Sequence, residues 1–190
     1  ALQWLVNPQE SSADPVRAIT FTSSAKFTMV GGEEAYISGV EFKNAARNFW
    51  GGYILIRPKI QQSKILTNFG GQANGFKIFN TYYKDTPLDV IQLKSAGSGQ
   101  GSVEGSTSLV IFKGNQVQVL ASQDTGSFGG FYDEKTDAED CKTGHDNDVF
   151  FNVMEYTPMI VNTTTSANGC ENLKPINYKV KTDLIPIVIK

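Results

Sequence analysis

The sequence predicts an all-β protein, a single domain over residues 1–190 folded as an antiparallel β-sandwich or jelly roll. Three observations carry that expectation. Short runs of alternating apolar and polar residues recur along the chain, Gly, Asn and Ser punctuate them roughly every ten residues, and helical periodicity is almost absent.

Ala18 to Val30 alternates first, with Ile19, Phe21, Phe27 and Met29 on odd positions, until Gly31-Gly32 breaks it. Tyr36 to Lys43 alternates again. Gly51-Gly52 then introduces the strongest apolar run, Tyr53 to Ile60, which is continuous enough for a strand buried on both faces. Phe76 to Tyr83, Asp89 to Lys94, Ser108 to Lys113 and Gln116 to Ser122 follow. Gly114-Asn115 sits between the last two as a two-residue hairpin turn, because glycine supplies the positive φ such turns demand. Ser95 to Ser106, rich in Gly and Ser, reads as a flexible loop, and only Pro87 to Leu93 has room for a helical turn. Val149 to Glu155, Met159 to Thr163 and Tyr178 to Lys190 complete the strands. Pro186 removes a ladder donor from the last of them and favours a sheet edge.

Composition narrows the function classes. Hydrophobic residues make up 40% and charged residues 19%, with Gly, Ser, Thr, Asn and Gln filling the difference. A net charge of −2 provides no basic field for nucleic acid or an anionic membrane. No stretch approaches the roughly 18 apolar residues of a membrane-spanning helix. The opening Ala-Leu-Gln-Trp lacks a basic-then-apolar leader and is compatible with a mature end after leader removal. Cys141 and Cys170 both fall in polar, turn-rich segments, where a disulfide is the simpler account than two buried thiols, so an oxidising, secreted or cell-surface setting is expected. Such a bridge would close a loop worth roughly 3–4 kcal/mol on the chain-entropy model.

Charge is uneven, since residues 133–148 hold seven acids against two lysines. Hard cations take clustered carboxylate and carboxamide oxygens, which makes Asp137, Asp140, Asp146 and Asp148 weak calcium candidates, although the spacing fits no EF-hand. A solvated acidic loop tethered by the disulfide is the plainer reading, and no cofactor is expected. His145 is the only histidine, too few for a usual zinc site beside an oxidised cysteine, and no G-x-S-x-G elbow accompanies it. The Gly-rich Gly97 to Gly101 lacks the following helix that a phosphate loop needs. Paired carboxylates drawn from Glu33, Glu34, Glu41, Glu104, Asp124 and Glu155 keep a jelly-roll glycoside hydrolase or lyase open as an alternative, with non-catalytic function favoured.

The remaining signal is aromatics beside Gly and Asn in turns: Asn48-Phe49-Trp50-Gly51-Gly52-Tyr53, Asn68-Phe69-Gly70-Gly71 with Asn74-Gly75-Phe76, and Phe128-Gly129-Gly130-Phe131-Tyr132-Asp133. Flat apolar faces cover the C–H patches of sugars while fixed amides and carboxylates bond their hydroxyls. Asn48, Trp50, Tyr53, Tyr132 and Asp133 are therefore the candidate ligand-binding residues. The competing expectation is that the glycines space strands and the aromatics fill the core. Asn162-Thr163-Thr164 matches a glycosylation triplet. An all-β body of this size, one disulfide and aromatic loops together resemble, in layout, the receptor-binding domains of bacterial pilus-tip adhesins. The expected function is thus an extracellular module that binds a glycan or glycoprotein, in an oligomeric state the sequence leaves open. A structural subunit pairing through its apolar end, Leu184 to Ile189, is a further alternative.

Overall fold

A computed structural model describes residues 2–5, 19–99, 102–128, 145–153, 159–168 and 177–190. The fold is an all-β sandwich. One sheet contains β1 (Ile19–Thr28), β2 (Glu34–Phe42), β3 (Gly51–Arg57) and β4 (Gln62–Ile65). The other contains β5 (Phe76–Tyr83), β6 (Thr86–Gly99), β7 (Ser102–Lys113), β8 (Gln116–Phe128), β9 (His145–Val153), β10 (Met159–Asn168) and β11 (Asn177–Pro186). Strands in both sheets lie in chain order and every neighbouring pair is antiparallel.

The period-2 pattern sorts side chains into layers. On β3, Tyr53 and Leu55 point to the space between the sheets, where Phe27, Ile37, Ile91, Leu93, Val110 and Phe112 meet them. The rings of Phe27 and Phe112 lie 5.1 Å apart at a tilt of 53°, a favourable offset for two quadrupoles. Ile54 and Ile56 point the other way, into a cluster with Val40 and Ile65 over which Leu2, Trp4 and Leu5 pack. The expected two-faced burial of this run is therefore what the structure shows. The strand ends at Arg57 rather than Ile60, because Pro58 cannot donate to a ladder and opens a 3₁₀ turn over Pro58–Ile60.

β6 and β7 are also buried on both faces. Their second face carries Leu88, Val90, Leu109 and Ile111, joined by Phe151 of β9 and by Ile187. β9 pairs with β8 only at the far end, Gly126 to Phe128 against Asn147 to His145. From there β9 turns back towards β5, so β9 to β11 lie over the rear of the larger sheet. A bulge that leaves Leu120 unpaired, between Val119 opposite Val110 and Ala121 opposite Leu109, adds local bend to β8.

Several expectations need correcting. Pro87 to Leu93 is not helical but continues β6, joined to β5 by the two-residue turn Lys84-Asp85 with φ of 49° and 62°. Ser95 to Ser106 is not a flexible loop. Ser95 to Gly99 pairs with Ser102 to Ser106, and a Cβ on Gly105 would run into the Ser95 carbonyl, so glycine there serves close backbone approach. The acidic stretch is strand from His145 onward, which places the backbones of Asp146 and Asp148 in β9. Cys141, Cys170, Asp137 and Asp140 lie outside the described residues. Asn162 sits on β10 between Phe151 and Asp183.

The two sheets are tied at both ends. At one end Arg57 reaches Glu33 in the β1–β2 turn through Nε–Oε1 (2.8 Å) and Nη2–Oε2 (2.7 Å), while its Nη1 donates to Asn115 Oδ1 (2.9 Å). Asn115 belongs to the Gly114-Asn115 hairpin of the other sheet, and its amide bonds Gln62. At the other end the backbone of Gly70 to Gln72 bonds both sheets. Gly51 N–H donates to Gly71 O (2.8 Å), Gln72 N–H to Ala96 O (2.7 Å), and Ala96 N–H to Gly70 O (2.9 Å). Gly70 and Gly71 hold φ of +115° and +72°, and a Cβ on Gly70 would lie 2.5 Å from Gly51 O while one on Gly71 would strike Ala96 O. Between the ends, buried Asp89 accepts from Thr28 N–H (2.7 Å) and Asn80 Nδ2 (2.8 Å).

Two outcomes test these ties. Gly71→Ala lowers unfolding free energy by about 1–3 kcal/mol in urea titration, through positive φ and the clash together. Gly75→Ala, whose Cβ enters open space, changes it by less than about 0.5 kcal/mol. The hydrogen bonds and charge of Arg57 hold the Glu33 carboxyl below its usual range. A lowered folded value contributes stability above the unfolded pKa, and that contribution is lost as pH falls through the folded one. Glu33→Gln therefore costs about 1–2 kcal/mol at neutral pH, and its melting temperature converges on the parent's as pH drops below the carboxylate range.

Candidate functional site

The aromatic motif at residues 48–53 straddles a loop and a strand, and the structure divides it accordingly. The loop from Lys43 to Trp50 connects β2 to β3 and is closed at its base by Phe42 N–H donating to Trp50 O (2.7 Å). Inside it, Phe49 N–H donates to Ala46 O (2.8 Å), and Asn44 takes a positive φ of 61°, which asparagine tolerates better than most residues.

A polar junction fixes the loop to the rest of the protein. Asn48 Oδ1 accepts from Gln72 Nε2 (2.6 Å) and from Ser98 N–H (3.2 Å), and Asn48 Nδ2 donates to Ser98 O (3.2 Å). Gln72 Nε2 also faces Arg47 O and Ser98 Oγ, both at 3.0 Å, so two amide hydrogens are shared among three oxygens. Three segments meet here: the 43–50 loop, the stretch after Gly70-Gly71, and the end of β6.

Outside the junction the loop presents an aromatic pair. Phe49 is 68% exposed and Trp50 is 36% exposed. An exposed phenyl beside an indole is costly to leave against water, and here both are carried by a backbone held in place. Glu41 on β2 and Glu104 on β7 stand exposed on different sheets, Glu41 opposite Gly51 and Glu104 opposite Gly97.

The sequence candidates separate into three groups. Trp50 stands on the surface as a binding role requires. Asn48 is half-buried, and both ends of its amide are engaged in holding the loop, so it is a positioning residue. Tyr53 is a correction. Its side chain is fully buried among the residues between the sheets, and its hydroxyl lies 2.8 Å from Gly75 O and 2.7 Å from Lys94 O while accepting Lys94 N–H. Burial pushes that phenol far above its ordinary range, so it stays neutral and offers nothing to a ligand. Tyr132 and Asp133 lie outside the described residues. The chain leaves β8 at Phe128 and re-enters at His145, and Phe128 pairs with Ser102 at the same end of the sandwich as Ser98. In the second aromatic cluster, Phe69 and Phe76 pack on the core between the sheets, which is the plain packing role.

Sequence reasoning missed Phe49 as the more exposed aromatic, and missed Gln72 and Ser98. Gly70-Gly71 marked the place where Gln72 approaches, but nothing local pairs it with Asn48, 24 residues away.

Other concave or charged features have less to offer. A groove of about 380 Å³ runs beside Lys64 to Phe69, Gln116 and Val117, and Lys64, the one ionisable side chain lining it, bonds Asn115 O. Of the carboxylates considered for hydrolysis, Glu33 is engaged by Arg57 and Glu34 by Lys26, and Glu155 lies outside the described residues. No three His, Cys, Asp or Glu side chains gather to hold a metal among the described residues. No helix among them is long and apolar enough to cross a membrane. No protein-family model, curated protein or solved structure matches this chain.

The junction makes a direct prediction. Gln72→Ala frees the 43–50 loop, and in a Trp4→Phe background the emission of Trp50 shifts to the red and becomes more readily quenched by acrylamide. Far-ultraviolet circular dichroism stays unchanged, and an unchanged spectrum of Trp50 would show that the amide does not hold the loop.

Proposed function

We propose that the chain is an extracellular binding module that recognises carbohydrate through the loop from Lys43 to Trp50. The observation that carries the reading is an exposed Phe49–Trp50 pair on a loop clamped by Asn48, Gln72 and Ser98. Planar side chains suit the C–H faces of pyranose rings, and a pre-held loop spares the ligand the cost of ordering it. Exposed Glu41, opposite Gly51 where the loop enters β3, supplies an acceptor for a hydroxyl.

The alternative of a structural subunit pairing through its apolar end finds less support. β11 lies at the edge of its sheet, but Ile187 is buried against Leu88, Val90, Leu109 and Ile111. Gln118 holds the following residues, bonding Val188 O and Lys190 N–H. Ile187 and the backbone of Val188 and Lys190 are therefore engaged within the fold, while the side chains of Leu184 and Val188 stand exposed.

A glycan array separates these readings. Trp50→Ala and Phe49→Ala each weaken binding to the best glycan by about tenfold, the effect expected for removing one stacking face, with melting temperatures unchanged. A blank array, or binding indifferent to both substitutions, counts against the loop as a lectin site.

A further inference from the structure

The aromatic loop lies in a segment of unusual charge. From Lys43 to Lys84 the chain has seven lysines and arginines and no acid, although the whole chain carries −2. The structure distinguishes these cations by their partners. Arg57 is chelated by Glu33, and Lys59 acts on the same carboxylate from a distance. Lys64 donates to Asn115 O (3.1 Å). Lys77 stands 4.6 Å above the ring of Phe79, and Lys84 stands 5.5 Å above that of Tyr83. Lys43 and Arg47 remain, both exposed, with no carboxylate, carbonyl or ring partner for their charges among the described residues.

These two are the cations of the loop that displays Phe49 and Trp50. Arg47 is the more constrained, because Gln72 Nε2 holds its carbonyl at 3.0 Å and so fixes the root of the side chain. A guanidinium that swings from a fixed root, free of internal partners, is set to form the paired N–H···O bonds that carboxylate and sulfate accept. Lys43, four residues earlier, adds a point charge at the loop's other end. Glu41 is the nearest acid along the chain and leaves the loop with a net positive charge.

We infer that the glycan recognised by this loop is anionic, its uronate carboxylates or sulfate esters bonded by Arg47 and Lys43 while Phe49 and Trp50 cover its ring faces. This rests on the reading of the loop as a carbohydrate site. Aromatic stacking supplies contact area, and the two cations supply the choice between charged and neutral polymers.

The test titrates the full chain with polygalacturonate, heparin, dextran and double-stranded DNA from about 50 to about 300 mM salt, a range over which exposed charges become screened. The expected result is binding to an acidic glycan that weakens with salt and falls about fivefold in Arg47→Ala, the loss of one charge-assisted pair, and further in Trp50→Ala. Preference for polygalacturonate or for heparin identifies carboxylate or sulfate as the group recognised. Salt-insensitive binding to dextran equal to that of the acidic polymers, unaffected by Arg47→Ala, overturns the anionic assignment and leaves the carbohydrate site standing. Binding to DNA and heparin alike that is indifferent to Trp50→Ala is mere ion exchange and overturns both. Absence of binding to every polymer also overturns both.

Discussion

The arrangement depends on a three-residue length of backbone. Gly70, Gly71 and Gln72 hydrogen-bond to β3 on one side and to β6 on the other, so the two sheets share one continuous set of main-chain bonds at that end. Two sheets held by apolar contact alone can slide, since burial is non-directional. Main-chain bonds are directional, and these fix the position of β3 relative to β6. The cost is steric: the strands approach so closely that two successive positions admit no side chain. The same constraint seats Gln72 beside Asn48, and so the closure of the sandwich and the posture of the aromatic loop have a common origin.

The central strands β3, β6 and β7 are buried on both faces, whereas antiparallel strands often leave one side wet. The smaller sheet is covered outside by the packing of Leu2 to Leu5, and the larger by its own later strands. Tyr53 shows how polar atoms are accommodated in such a core. Its phenol spans two chain segments, reaching Gly75 and Lys94, and serves as a cross-link rather than as a reactive group. Its neighbour by sequence, Trp50, lies three positions away and faces solvent, because the loop ends between them.

How much of this was legible follows from what each signal encodes. The run Tyr53 to Ile60 announced a doubly buried strand because it is short, apolar and led in by Gly51-Gly52, although the strand itself stops at Arg57. Gly114-Asn115 marked its hairpin because glycine meets the turn's demand for positive φ. Lys84-Asp85 also makes a two-residue hairpin turn, with positive φ at both positions, yet from ordinary polar residues that are indistinguishable from any solvated dipeptide. The glycines and serines of Ser95 to Ser106 look alike whether they confer freedom or permit two backbones to touch, and only the partner strand tells which. For the candidate site, the motif located the loop but could not assign its aromatics, since which of Phe49, Trp50 and Tyr53 is outward depends on where β3 begins. The Asn48–Gln72–Ser98 junction joins residues distant in sequence and has no local signature.

The packing of Ile187 has a consequence for biosynthesis. The rear face of β6 and β7, with Leu88, Val90, Leu109 and Ile111, is complete as soon as those hairpins emerge, but two of its covering side chains, Phe151 and Ile187, are translated only later. At a ribosomal pace of about 5–20 residues per second the nascent sheet spends seconds with an apolar surface open to its surroundings. Until Phe151 and Ile187 arrive, Leu88, Val90, Leu109 and Ile111 lack part of the covering that the finished fold gives them.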